Sequence, residues 1–220
     1  MIIDAIDIKT MTSTFPRVHL VDDNALFLTV LTRSLQSVGH EVACFQSAGD
    51  CLSSISENTR GCVIVDLRMP GCDGLELQSR LAETENPLPV VFLTGEGDIQ
   101  SSVMAMRRGA EDFLTKCAPR EELLAAVSRA LVRDRKESGK RERGRELRQL
   151  FAKLTRREHG VLALVLRGML NKQIAAELGT VERTVKLHRT NITRKLEVSS
   201  VAELVRLWAD LHALGGKDFP

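Results

Sequence analysis

The sequence predicts an α/β domain with a five-stranded parallel sheet, followed by a small all-helical domain. Three observations carry that expectation. Short apolar runs alternate with helical patterns between positions 17 and 134, the pattern of strands covered on both sides by helices. A charged stretch from Asp134 to Gln149 holds almost no apolar residue. Beyond it, apolar residues recur at helical spacing between caps and glycines. The expected organisation is an N-terminal extension over 1–15, the α/β domain over 16–133, a linker over 134–150, a helical domain over 151–213 and a tail over 214–220.

The elements follow in order. Val18-His19-Leu20-Val21 is a strand ending in Asp22-Asp23, and a helix with Phe27, Leu31, Leu35 and Val38 on one face stops at Gly39. Val42 to Phe45 is a second strand, followed by a weak helix through Leu52 and Ile55. Cys62-Val63-Ile64-Val65, an unbroken apolar run, reads as a strand buried on both faces that delivers Asp66 to its end. Pro70, Gly71 and Gly74 then turn the chain, and a helix spans Leu75 to Leu81. Val90 to Leu93 ends at Thr94-Gly95, and Ile99, Val103 and Met106 register as one face of the next helix. Phe113-Leu114-Thr115 ends at Lys116, and Pro119 opens a helix carrying Leu123, Val127, Ala130 and Leu131. The charged linker is expected to be partly helical and to bury no core.

Parallel strands bring their carboxyl ends to one sheet edge, where ligands of open α/β sheets bind. Asp22, Asp23, Asp66, Thr94 and Lys116 each end a strand, so they are expected to gather there. Singly, each has an ordinary explanation as a cap, a turn former or a solvated charge. Crowded carboxylates repel one another unless a cation sits among them, and an oxygen-only donor set suits Mg²⁺. A carboxylate nucleophile beside Mg²⁺, an ammonium and a hydroxyl is equipped for phosphoryl transfer, giving an aspartyl phosphate.

The charge distribution points to a second activity. Met1 to Asp134 carries 12 basic against 19 acidic side chains, net −7; the remainder carries 19 against 10, net +9. A basic half suits a polyanionic partner. There, Thr155-Arg-Arg-Glu158 is a capping box opening a helix with Val161, Leu162 and Val165, closed by Gly168. Asn171 is expected to cap a short helix with Ile174, Ala175 and Leu178, ended by Gly179. A third helix runs from about Val181 to Leu196, and a fourth holds Ala202, Val205, Trp208 and Leu211. On the third, Val185, His188, Ile192 and Leu196 share one side, while Arg183, Lys186, Leu187, Thr190 and Arg194 share the other. Two short helices joined at Gly179 describe a helix-turn-helix. Lys186 and Thr190 would reach base edges, and Leu187 a thymine methyl. Lys172, Thr184, His188, Arg189, Arg194 and Lys195 would flank the phosphates. The alternative is a helical bundle with a solvated basic face.

Other classes are disfavoured. At 43% hydrophobic the chain can build cores, yet no apolar run approaches the roughly 18 residues of a membrane span. Asp4 and Asp7 and the lack of a basic start argue against a signal peptide. Five cysteines without a Cys-x-x-Cys pair read as reduced core hydrophobes, so a cytoplasmic location is expected.

With Asp22-Asp23, Asp66 through Met69-Pro70-Gly71-Cys72-Asp73-Gly74, Thr94-Gly95, Phe113 and Lys116 in view, residues 17 to about 134 resemble the receiver domain of bacterial two-component response regulators, a flavodoxin/CheY-like fold. The run from Leu154 to Glu158, Asn171 to Ala175 and Arg183 to His188 resembles the LuxR-type DNA-binding domain, and the combination is similar to the FixJ/NarL family. The resemblance implies that a sensor histidine kinase phosphorylates Asp66. It implies that Asp22, Asp23, Asp66 and the Arg68 carbonyl hold Mg²⁺, and that Thr94 and Phe113 form a switch pair. It further implies a homodimer when phosphorylated, double-stranded promoter DNA as target, possible contact with RNA polymerase, no membrane partner, and no enzyme beyond self-directed phosphoryl chemistry. One departure stands out: receivers usually have proline after the lysine in a cis peptide, and here Cys117-Ala118 intervene before Pro119. A cis bond before Cys costs roughly 2.5–4 kcal/mol, against about 0.5–1 before Pro. Two rivals remain. A phosphohydrolase would want an acid at position 68, where Arg68 stands; a receiver that is no longer phosphorylated would sense a ligand or partner instead.

Overall fold

The computed structural model describes residues 15–95 and 99–215. The N-terminal extension up to position 14 and the tail from 216 lie outside the described residues.

β-Branched runs set the sheet. β1 (Arg17–Val21), β2 (Glu41–Phe45), β3 (Gly61–Val65), β4 (Val90–Thr94) and β5 (Asp112–Thr115) are all parallel, in the order β2-β1-β3-β4-β5. Alternate side chains of each strand feed two separate cores, which is why the runs are apolar without a break. Val63, Val65 and Phe92 pack with α2 (Ala48–Ser54) and α3 (Gly74–Ala82). Cys62, Ile64, Val91 and Leu93 pack with α1 (Ala25–Gln36) and α5 (Arg120–Ala152). This is the doubly wound arrangement expected. Asn24, Ser47 and Asp73 cap α1, α2 and α3 through their side chains, each such cap being worth about 1 kcal/mol. The register begins at Gly61, whose φ is +131° and where a Cβ would lie 1.7 Å from the Arg17 carbonyl oxygen.

Several packing expectations are corrected. On α4 (Ile99–Arg107), Ile99, Val103 and Met106 are exposed, and Ala105 is the buried residue. On α1, Leu28 joins Leu31 and Leu35 in the core, while Phe27 is half-buried and Val38 exposed. Only Cys51 and Cys62 behave as core residues, burial pushing both thiols up to about 12; Cys72 is half-buried, and Cys44 and Cys117 are exposed.

The chain forms two compact units that divide between Ser138 and Gly139, inside α5. The charged stretch is helical throughout, and it does bury side chains. Within the first unit, Asp134 accepts from Arg60 Nε at 2.9 Å and from the Gly61 N–H at 3.2 Å. Within the second, Leu147 lies in the core, one helical turn before Phe151 of the helical domain. Composition alone missed this because so few apolar residues, correctly spaced on a helix, suffice to seat it.

The second unit holds α6 (Arg156–Leu166), α7 (Asn171–Glu177), α8 (Glu182–Lys195) and α9 (Val201–Ala213). The Thr155–Glu158 capping box forms as read from the sequence. Asn171 is the first residue of α7 and not its cap; the Leu170 N–H donates to Gln173 Oε1 at 2.8 Å instead. On α9 the buried residues are Leu204 and Leu211, whereas Ala202 and Val205 are exposed. Trp208 is half-buried against Phe151, ring centroids 5.6 Å apart.

Candidate functional site

The register places the acids. Val21 pairs with Val65, so Asp22 and Asp66 step off adjacent strands at the same level. Both are nearly inaccessible, 1% and 8% exposed, while Asp23 is exposed. One carboxylate oxygen from each of the three lies within 4.8 Å of the others. That oxygen-only donor set fits a hard divalent cation such as Mg²⁺.

Lys116 reaches this cluster from the end of β5. Its backbone N–H donates to the Thr94 carbonyl at 2.7 Å, and its Nζ lies 2.5 Å from Asp22 Oδ2 and 2.8 Å from Asp66 Oδ2. Burial alone would lower the pKa of the ammonium. The hydrogen bonds it donates to both carboxylates, and their charges, outweigh burial and raise it above its ordinary value. The chain contains no cis peptide bond among the described residues. Lys116 is thus aimed at both acids without the proline whose absence put its geometry in question.

Thr94 ends β4 in a buried position, 1% exposed. Phe113 is half-buried on β5, and its ring stacks on Phe92 with centroids 5.7 Å apart. Arg68 is exposed in the loop after β3.

Three further residues shape the site. Asn24 is one: its backbone N–H donates to Asp22 Oδ1 at 2.9 Å while its side chain caps α1. An asparagine directly after the acid pair and before the helix is a cap signal that could have been read. Phe27 is the second, its ring under the Lys116 ammonium at 4.5 Å; helical periodicity classed it simply as core. Gly74 is the third. A Cβ there would lie 2.5 Å from the Asp66 carbonyl oxygen and 3.0 Å from the Phe92 ring, so α3 can start this close to Asp66 only with glycine.

In the second unit, Gly179 turns the chain between α7 and α8 with φ +60°, and the Thr180 N–H closes the turn on the Ala175 carbonyl at 2.9 Å. Val185, Ile192 and Leu196 are buried and His188 half-buried. The opposite side of α8 carries Arg183, Lys186, Leu187, Thr190 and Arg194, all exposed, and Lys172 is exposed on α7. Thr184 is half-buried. Two expected phosphate contacts are engaged inside the unit. Arg189 donates to Asn171 Oδ1 at 2.9 Å, and Lys195 lies 2.6 Å from the buried Glu158 carboxylate. These partners hold the two cations against the fold.

Comparisons agree with this geometry. Residues 18–128 match the response regulator receiver domain, and residues 152–208 match the bacterial regulatory proteins of the luxR family. The chain is 42% identical over 190 residues to the response regulator protein TodT of Pseudomonas putida, covering 86% of this chain and 84% of that one. The solved structure of the response regulator StyR superposes with a TM-score of 0.80 at 44% identity, over 88% of this chain and 98% of that one. Full-length FixJ from B. japonicum gives a TM-score of 0.53 at 33% identity, over 91% and 99% of the two chains.

Proposed function

Because this chain belongs to the two-component response regulators, transcriptional regulators that join a receiver domain to a luxR-type DNA-binding domain, we propose that it is switched by phosphorylation of Asp66. The observation that carries the reading is the shared grip of Lys116 on Asp22 and Asp66 at the sheet edge. A carboxylate oxygen of Asp66 forms the new P–O bond as the P–N bond to the imidazole of a partner histidine kinase breaks. The Lys116 ammonium moves a donor onto a phosphoryl oxygen, and the Thr94 hydroxyl donates to another. Asp22, Asp23, Asp66 and the Arg68 carbonyl would hold Mg²⁺, which when bound neutralises charge on the transferring group. The chain modifies itself and turns over no external substrate.

Negative charge and new acceptors at Asp66 draw in Thr94, and Phe113 follows it inward. The active state then forms a homodimer, and moving such an equilibrium from mostly off to mostly on takes about 5 kcal/mol of preference. In DNA binding, Lys186, Leu187 and Thr190 of α8 face base edges in the major groove, while Lys172, Arg183 and Arg194, with Thr184, His188 and Arg189 on the flanks, border phosphates. A cytoplasmic location and contact with RNA polymerase complete the reading. No described helix is long and apolar enough to cross a membrane.

Incubation with a small phosphodonor and Mg²⁺ tests it. Wild-type protein takes up phosphate that alkali and hydroxylamine release, as an acyl phosphate requires, and the Asp66→Asn variant does not. Equal labelling of the two would remove Asp66 from the role.

A further inference from the structure

The Lys116 ammonium has a third neighbour besides its two carboxylates. Its Nζ stands 4.5 Å from the centroid of the Phe27 ring. The face of an aromatic ring is negative and attracts a cation at this range without occupying an N–H donor as a carboxylate would. Phe27 is held in place by the same acid that holds the lysine. Asp22 Oδ1 accepts from the Asn24 N–H at 2.9 Å, Asn24 Oδ1 accepts from the Phe27 N–H at 3.1 Å, and Asp22 Oδ2 meets Lys116 Nζ at 2.5 Å. Acid, cap, aromatic ring and amine form a closed circuit. The core face of α1 is supplied by Leu28, Leu31 and Leu35, which are buried, whereas Phe27 is half-buried at the margin of that core. Packing at such a margin would be met equally by an aliphatic side chain. The cation contact would not.

Resting on the reading of Asp66 as phosphoacceptor, we propose that Phe27 is a positioning residue for the transfer. Its ring face holds the ammonium beside Asp22 and Asp66, so that the remaining N–H donor is available to a phosphoryl oxygen. A lysine side chain is long and rotamer-rich, and a ring at its tip restricts the conformations it samples before the reaction.

The test uses full-length protein, a small phosphodonor and saturating Mg²⁺. Phe27→Leu should slow initial phosphate uptake about threefold to tenfold, and Phe27→Trp should stay within about twofold of wild type, since indole binds cations best. In a Lys116→Ala background, Phe27→Leu should make no further difference. NMR supplies a readout that packing alone would not move: the Lys116 ε-methylene protons should be shifted upfield by the ring in wild type and Phe27→Trp, and return to ordinary values in Phe27→Leu. Wild-type uptake by Phe27→Leu, uptake by Phe27→Trp as slow as by Phe27→Leu, or unshifted protons in wild type would each overturn the proposal. A wild type that shows the ring shift yet takes no phosphate would overturn the phosphoacceptor reading, and this role with it.

Discussion

Lys195, the last residue of α8, places its Nζ 2.6 Å from Glu158 Oε2, the acid that completes the capping box of α6. Glu158 is 3% exposed, and the same Oε2 accepts from the Thr155 N–H at 2.8 Å. One cation therefore ties the proposed recognition helix to the helix that begins the domain. Lys195→Ala would leave a buried carboxylate without its counter-charge. Removing one partner of a fully buried pair costs about 3–5 kcal/mol, and partial exposure of the lysine reduces that to roughly 1–3 kcal/mol. Denaturant melts should show the loss in the transition of the second unit.

The same pair sets an acid limit. Burial would raise the Glu158 pKa, but the hydrogen bond from Lys195, those involving Thr155 and the lysine charge together lower it below its ordinary 4.5. A carboxylate with a depressed folded pKa contributes stability that is present above the unfolded value and lost as pH falls through the folded one. Stability should therefore decline below about pH 4.5, and the gap between wild type and Glu158→Gln should shrink across that window in pH-dependent melts.

Beside the proposed phosphoacceptor, Gly74→Ala should act on the backbone of Asp66 while leaving every acidic side chain in place. The new methyl would sit 2.5 Å from the Asp66 carbonyl oxygen, and overpacking of this kind costs about 1–3 kcal/mol. Calorimetry should show a less stable first unit, and phosphate uptake should slow because the strand end is displaced.

DNA binding separates the exposed cations from the engaged ones. Lys172→Ala removes an exposed charge, and the slope of log affinity against log salt should flatten by about one. Lys195→Ala should leave that slope unchanged, once measured where the domain is folded. Lys186→Ala should weaken binding unevenly across operator variants, the mark of base readout.

Much of this was legible in the chain itself. The unbroken run before Asp66, in its alternation with helical patterns, reads as a strand covered on both faces, and a parallel sheet must then bring the residues after Val21, Val65 and Thr115 to one edge. The Thr155 capping box and the outer face of α8 were equally readable, because capping and helical periodicity are local. Periodicity failed where two apolar faces competed: Ile99, Val103 and Met106 are in register, yet the sheet takes Ala105. It failed again in the charged stretch, where Leu147 reaches a core that no count of apolar residues announced.

Local sequence thus determined the elements, their order and the residue at which each strand ends, since these follow from backbone alternation and caps within a few residues. Tertiary packing alone decided which cations are available. Lys116 is committed to Asp22, Asp66 and Phe27, and Lys195 to Glu158, while Lys186 stays on the surface with the exposed Glu182 of its own helix beside it. A long ammonium side chain reaches partners far away in the chain, and only the folded register settles which acid or ring lies within its span.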